Sequence, residues 1–191
     1  SIYSNHGRGI DLGNDSFTIN DRLDADLGAN LLQNFPVVAQ VAFLGPAKTI
    51  TWSMTGLPLT TFTLDFFAND SPDPSGFGEG KTYLSSLTVT ADADGLVSQP
   101  TVFDSSHQFI SATATDILGN TSEFSMVDTD GDALADAWEL TGIDIDEDGT
   151  IDLQLDSNPN HKDIFVEVDS MVGRAPDPGT LIDVVAAFSA V

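Results

Sequence analysis

Between Phe35 and Ser125 the chain alternates short apolar runs with clusters of turn residues. Runs over 37–44, 47–54, 60–67, 83–91, 96–103 and 109–115 are rich in β-branched and aromatic side chains. Gly45-Pro46, Gly56-Leu57-Pro58, Asn69 to Pro72, Asp94-Gly95 and Asp104-Ser105-Ser106 separate them. Thr61-Phe62-Thr63-Leu64-Asp65-Phe66 alternates polar and apolar positions, which predicts a strand with one wet face. Residues 111–115 alternate more weakly, with small side chains. Ala93-Asp94-Gly95 predicts a hairpin turn, because glycine admits positive φ. Short strands at roughly ten-residue spacing without intervening helix predict a mainly β fold, an immunoglobulin-like sandwich over 35–127 with Trp52 in its core.

The flanks show other patterns. Residues 1–34 are rich in Asn, Asp and Gly, with Ile2, Ile10 and Leu12 suggesting two short strands around a turn. The stretch Asn14 to Asn34 reads as a loop, and a loop that long needs something to pin it. Asp24 and Asp26 are candidate ligands of a further metal ion there; a surface linker is the alternative. Residues 134–141 predict a short helix stopped by Gly142, and 163–169 a strand. Asp177-Pro178 is a helix start, with Leu181, Val184, Val185 and Phe188 on one face. Residues 161–191 therefore read as the start of an α/β, strand–helix element expected to continue past the end of this chain.

Between these parts lie two acidic runs. Asp128-Thr-Asp130-Gly-Asp132-Ala-Leu-Ala-Asp136-Ala-Trp-Glu139 and Asp144-Ile-Asp146-Glu-Asp148-Gly-Thr-Ile-Asp152 place carboxylates at alternate residues. Such spacing makes a poor helix or core and a good oxygen cage for a hard cation. In an EF-hand-type loop, positions 1, 3, 5, 9 and 12 bring side chains and position 7 a backbone carbonyl. The first run fills these positions with Asp128, Asp130, Asp132, Asp136 and Glu139, and with the carbonyl of Leu134. The second offers Asp144, Asp146, Asp148 and Asp152, with the carbonyl of Thr150 at position 7 and Gly149 at the sharp turn. Position 12 of the second run is Leu155, so Asp156 or a more distant carboxylate must close that site. The first run departs at position 6, where Ala133 replaces glycine. These features predict tandem calcium loops over 128–160; a solvated acidic linker is the alternative.

Composition narrows the partners. The 191 residues carry a formal charge of −24 at a pI near 4.1, with an ordinary 41% of hydrophobic residues. Only six Lys and Arg are present and they are scattered, which argues against nucleic acid and anionic lipid. No cysteine means no disulfide framework and no thiol chemistry. The apolar runs are too short for a membrane span, and no signal peptide opens the chain, as expected of a mature or excised fragment of a larger secreted protein.

Enzymatic patterns are weak. Gly76-Phe-Gly78-Glu-Gly80-Lys81-Thr82 imitates a P-loop, but Ser75 stands where the motif needs glycine, and a strand-like run comes next. His6, His107 and His161 lie far apart. Asp65, Asp70, Asp73, Glu79, Asp116 and Glu123 are candidates for another ion site, with solvated turns as the default.

The residues resemble parts of large bacterial surface and secreted proteins. Ile2-Tyr-Ser-Asn-His-Gly-Arg-Gly-Ile-Asp-Leu12 is similar to the last coil of a parallel β-helix, so that 1–34 would be a β-helix end and linker. Residues 62–68, 78–83 and 111–124 resemble the immunoglobulin-like domain that comes after such a coil. Asp128 to Asp152 is similar to thrombospondin type 3 and dockerin-like calcium repeats. His161 to Asp169 resembles the entry to a metallopeptidase-like domain.

Together these readings predict a calcium-binding structural or adhesion-type module, extracellular or at the cell surface, with calcium stiffening the junction between domains. Its expected partners are calcium ions, neighbouring domains of the same polypeptide and a cell-surface protein or glycan. No enzymatic role is expected of the fragment itself. An accessory part of a secreted metallopeptidase or other hydrolase and a carbohydrate-binding module are the alternatives.

Overall fold

The structure, a computed structural model, describes residues 1–5, 7–14, 17–44, 47–104, 109–145, 148–165, 173–175 and 177–188. It is mainly β. The strands are β1 (Val37–Leu44), β2 (Ala47–Thr55), β3 (Thr61–Asn69), β4 (Thr82–Thr90), β5 (Leu96–Asp104), β6 (Phe109–Asp116) and β7 (Met126–Val127). Two short helices come after them, α1 (Asp136–Thr141) and α2 (Pro178–Phe188). The sheets run β5-β2-β1-β7 and β4-β3-β6. All pairings are antiparallel except β1 with β7, which places Val37 beside Met126 and Val38 beside Val127.

One hydrophobic cluster draws on both sheets. Val38, Ile50, Trp52, Met54 and Val97 come from the first; Phe62, Leu64, Phe66, Val89, Ile110 and Ala112 from the second. The period-two run in β3 is the cause, since Phe62, Leu64, Phe66 and Ala68 all point inward. Trp52 is buried, and its indole N–H donates to the Thr101 hydroxyl at 2.8 Å. Pro100 sits in β5, where an edge strand tolerates the missing donor. The free edge of β6 is covered by Ser122 and Ser125, whose amides donate to the carbonyls of Ala114 and Ala112 at 2.9 and 2.8 Å. Their hydroxyls accept from the amides of the same two residues. Pairing of both kinds blunts an edge that would otherwise recruit other chains.

Two expectations need correction. The turn at Asp94-Gly95 is no hairpin: β4 pairs with β3 and β5 with β2, so the chain changes sheets there. Gly95 does take φ +79°, and the Asp92 carboxylate accepts from the amides of Asp94 and Leu96 at 2.8 and 2.9 Å. Local turn chemistry was legible; which sheet each strand joined was not. Ile10 and Leu12 form no strand, and the Leu12 amide instead donates to buried Glu123 at 2.9 Å.

The segment before β1 is tied to the sheets. Ile2 bridges to Gly80, and Glu79 accepts from the amides of Ser4 and Asn5 at 2.8 and 3.0 Å. Asn34 is the central fastening of the 14–34 loop. Its side chain accepts from the Asp21 amide at 2.9 Å and donates to the carbonyls of Asp21 and Thr55 at 2.8 and 3.0 Å.

A second, smaller cluster positions the acidic region. Phe35, Phe77, Met126 and Ala135 are buried together, with Phe17, Val37 and Trp138 packed against them. The Trp138 indole donates to the Ser75 carbonyl at 2.9 Å, and a Cβ on Gly76 would lie 2.5 Å from that indole nitrogen. The glycine-rich run that imitates a P-loop thus serves close packing: Gly76 lies against α1, Gly78 against Ser111 and Gly80 against Phe124. Helix α1 ends at Gly142 with φ +92°, as predicted, but begins at Asp136. Asp177 accepts from the Gly179 amide at 3.1 Å at the start of α2, whose Leu181 and Val185 are exposed. Residues 163–165 are not paired as a strand; the rest of that predicted strand lies outside the described residues. No helix among the described residues is long and apolar enough to cross a membrane.

Candidate metal centre

The first acidic run leaves β7 directly. The amide of Asp128 donates to the Val38 carbonyl at 3.0 Å, so the loop hangs from the sheet by its first residue. Asp128 is 5% exposed, and its carboxylate accepts from the amides of Gly131 and Ala133 at 2.6 and 3.0 Å. Those two donors fold the backbone back around its carboxylate. Carboxylate oxygens of Asp128, Asp130 and Asp132 then lie within 4.8 Å of one another. A second group, Asp132, Glu139 and Asp163, meets the same criterion and shares Asp132 with the first.

The carboxylates differ in how far protein donors already engage them. Asp136 is engaged by Thr129, whose amide and hydroxyl donate to it at 2.7 and 2.6 Å. Asp132 accepts from the amides of Leu134 and Asp163, each at 2.8 Å. Asp130 and Glu139 differ: both oxygens of each carboxylate are buried, and among the described residues no donor reaches those of Glu139, while only the neighbouring Asp132 amide approaches Asp130. Glu139 is 3% exposed, and its amide donates to the Ala135 carbonyl at 3.2 Å in the first turn of α1. Burial pushes its carboxyl up to about 7, and the surrounding Asp132, Asp130, Asp136 and Asp163 add to the effect. Asp130 is raised by burial and then by Asp132 and Asp128. Burial also raises Asp136, against the hydrogen bonds from Thr129. Buried anionic oxygens without donors are costly, and a cation is what offsets that cost. The oxygen-only donor set suits a hard metal ion.

The second run has the same internal wiring. Position 6 donates to the carboxylate of position 1 in both: Ala133 to Asp128 at 3.0 Å, and Gly149 to Asp144 at 2.8 Å. Position 7 donates to position 5, Leu134 to Asp132 and Thr150 to Asp148, both at 2.8 Å. Position 2 donates to position 9, Thr129 to Asp136 at 2.7 Å and Ile145 to Asp152 at 2.8 Å. Ala133, with φ +76°, adopts the left-handed backbone that Gly149 takes at φ +91°. The departure from glycine at position 6 is therefore a change of residue without a change of conformation. Ile143 bridges to Leu153 and closes the base of the second loop.

The second loop is more open. Asp144 is half-buried, and Asp148, Asp152 and Asp156 are exposed. Asp146 lies outside the described residues. Leu155 is buried, and no convergent acidic group among the described residues includes Asp156.

Near the N-terminus, Asp21, Asp24 and Asp26 form a third convergent group. Asp24 has protein partners, the Asn34 amide at 2.8 Å and the Gln33 side chain at 2.7 Å. Burial raises its carboxyl to about 6 despite them. The other acidic residues suspected of ion binding have protein partners. Glu79 and Glu123 hold the N-terminal segment, Asp116 the turn at Asn120, Asp73 the Ser75 amide, Asp70 Lys81, and Asp65 Ser86.

Asp163 was missing from the sequence-derived set. It lies 31 positions beyond Asp132, outside any periodic acidic pattern, and only its place beside Lys162 and His161 marked it. The chain matches no protein-family model and no curated protein.

Proposed function

We propose that this chain is a calcium-binding structural module of an extracellular bacterial protein, of adhesion type, in which the ion stiffens the junction between a β domain and the next domain of the polypeptide. The carrying observation is the buried Glu139 carboxylate, which no donor among the described residues reaches, beside the buried oxygens of Asp130 in a loop already folded around Asp128. The ligands proposed in the first loop are Asp128, Asp130, Asp132, Glu139 and the carbonyl of Leu134, with Asp136 acting through Thr129 as a brace. The second loop, with the same hydrogen bonds, is proposed as a weaker, more solvent-exposed site.

The mechanism is electrostatic. Without a cation the carboxylates repel one another and Glu139 is held in a costly environment. Calcium accepts six to eight oxygens at 2.3–2.6 Å in flexible geometry, whereas magnesium demands a tighter octahedron. Binding free energy then becomes folding free energy for the loop. Three contacts transmit it: Glu139 belongs to α1, Trp138 of α1 packs with Phe77, and Asp128 hangs from β1. The strand order and the core shared between the sheets support an immunoglobulin-like sandwich as the β domain. An acidic module with weak calcium sites suits a calcium-rich exterior.

A thermal melt in EDTA, in millimolar calcium and in millimolar magnesium tests the reading. A calcium-specific rise in midpoint is expected, because a ligand that binds only the native state stabilises it by mass action. Equal midpoints in all three would reduce the acidic runs to solvated linkers.

A further inference from the structure

We infer that the carboxylate of Asp163, which belongs to neither acidic loop, is a ligand of the ion held by the first loop, so that one divalent cation clamps the segment after the second loop onto the first. The inference rests on the proposed cation site and adds to it a ligand and a mechanical consequence.

Two independent observations carry it. Glu139 is only 3% exposed, and neither of its oxygens has a hydrogen-bond donor among the described residues. A carboxylate oxygen of Glu139 and one each from Asp132 and Asp163 all gather within 4.8 Å. Three anions at that approach repel one another, and a cation among them would offset the repulsion. Asp163 is also positioned rather than adrift. Its amide donates to Asp132 at 2.8 Å, and the adjacent Lys162 ammonium donates to the Gly131 carbonyl at 2.9 Å. The remaining contacts of its carboxylate, with His161 Nδ1 at 3.2 Å and the Asn158 amide at 3.4 Å, leave lone pairs for a metal as well. The first loop brings Asp128, Asp130, Asp132, Glu139 and one carbonyl. Calcium takes six to eight oxygens, so room remains for a ligand from elsewhere.

The consequence is topological. Asp132 and Asp163 are 31 positions apart, and the whole second loop lies between them. An ion bound by both closes that excursion at its far end, while the Ile143–Leu153 bridge closes its base. Closing a loop of this length costs little more entropy than closing one half as long, so a single metal bond can hold it. The second loop is thereby pinned at a defined place relative to the sheets.

The test uses the full chain in an Asp144→Asn background, which disables the second loop, and compares it with added Asp163→Asn, Asp130→Asn or Asp156→Asn. Calcium affinity is measured by calorimetry, folding by circular dichroism, amide protection by hydrogen exchange, and waters on bound europium by luminescence lifetimes in H2O and D2O. Asp163→Asn is expected to weaken calcium about tenfold or more, to admit about one more water to the ion, and to abolish calcium-induced amide protection over 142–165. Asp156→Asn should change none of these. If Asp163→Asn leaves affinity and water count unchanged while Asp130→Asn abolishes binding, the clamp is overturned and the cation site stands. If the background chain binds no calcium, the cation site fails and the clamp with it.

Discussion

The amide of Asp128 donates to the carbonyl of Val38 at 3.0 Å. That bond joins the first acidic residue of the loop to β1, which lies between β2 and β7. A cation bound by Asp128 is therefore one hydrogen bond away from the main sheet, and α1, which carries Glu139, links the same loop to the cluster around Phe77. The connection has consequences that can be measured.

Glu139→Gln separates the cost of the buried charge from the benefit of the ion. Without calcium the variant should melt higher than the parent, because a neutral amide replaces an anion that has no donor among the described residues. With calcium the order should reverse, since the strongest candidate ligand of α1 is gone. Melting curves with EDTA and with calcium check both arms; a variant that melts lower in EDTA contradicts the account.

The pH dependence comes from the same group. Glu139 has a folded value of about 7 against an ordinary 4.5, so the metal-free native state holds its proton longer than the unfolded chain. A raised carboxyl contributes no penalty below the unfolded value and a growing one as pH rises through the folded value. Metal-free stability should thus fall between about pH 4.5 and 7, by about 3 kcal/mol. Calcium binding near pH 6 should release protons. Calorimetry in buffers of different ionisation enthalpy counts them.

Ala133 and Gly142 test the backbone. Ala133 holds φ +76°, a region where a side chain costs about 1–2 kcal/mol and glycine almost nothing. Ala133→Gly should stabilise the calcium-free protein by up to about 1 kcal/mol, after the larger entropy of unfolded glycine is subtracted. Gly142→Ala should destabilise by about 1–3 kcal/mol, because φ is +92° and the new Cβ would lie 2.5 Å from Ile151 and 2.8 Å from the Leu153 carbonyl. Urea denaturation in EDTA measures both.

Asn34→Ala tests what pins the long N-terminal loop. The substitution leaves the Asp21 amide and the Asp21 and Thr55 carbonyls without their side-chain partner. A loss of about 2–4 kcal/mol is expected. Proteolysis of the variant should begin within residues 14–34, and a cut elsewhere would assign the fastening to other contacts.

Much of this molecule was readable from its residues, because the deciding physics is local. The period-two alternation of Thr61 to Phe66 requires a strand with one buried face, and the six strands predicted between Phe35 and Ser125 lie within two residues of those observed, whereas those predicted at 10–12 and 163–165 do not form. The spacing of Asp128, Asp130 and Asp132 brings three carboxylates to one centre through turns of only a few residues, and the loop's hydrogen bonds are equally short in range. Only tertiary structure decided the rest. Partner choice put β4 and β5 in different sheets, although the Asp94-Gly95 turn between them has ordinary local chemistry. Packing of Trp138 against Phe77 determines where α1 lies, and hence that Glu139 is buried without a donor while Asp136, three residues earlier, is satisfied by Thr129. The approach of Asp163 to Asp132 depends on the path of the intervening chain. Turn preferences act over a few residues, whereas these approaches depend on how distant surfaces fit and which charges are driven together when they do.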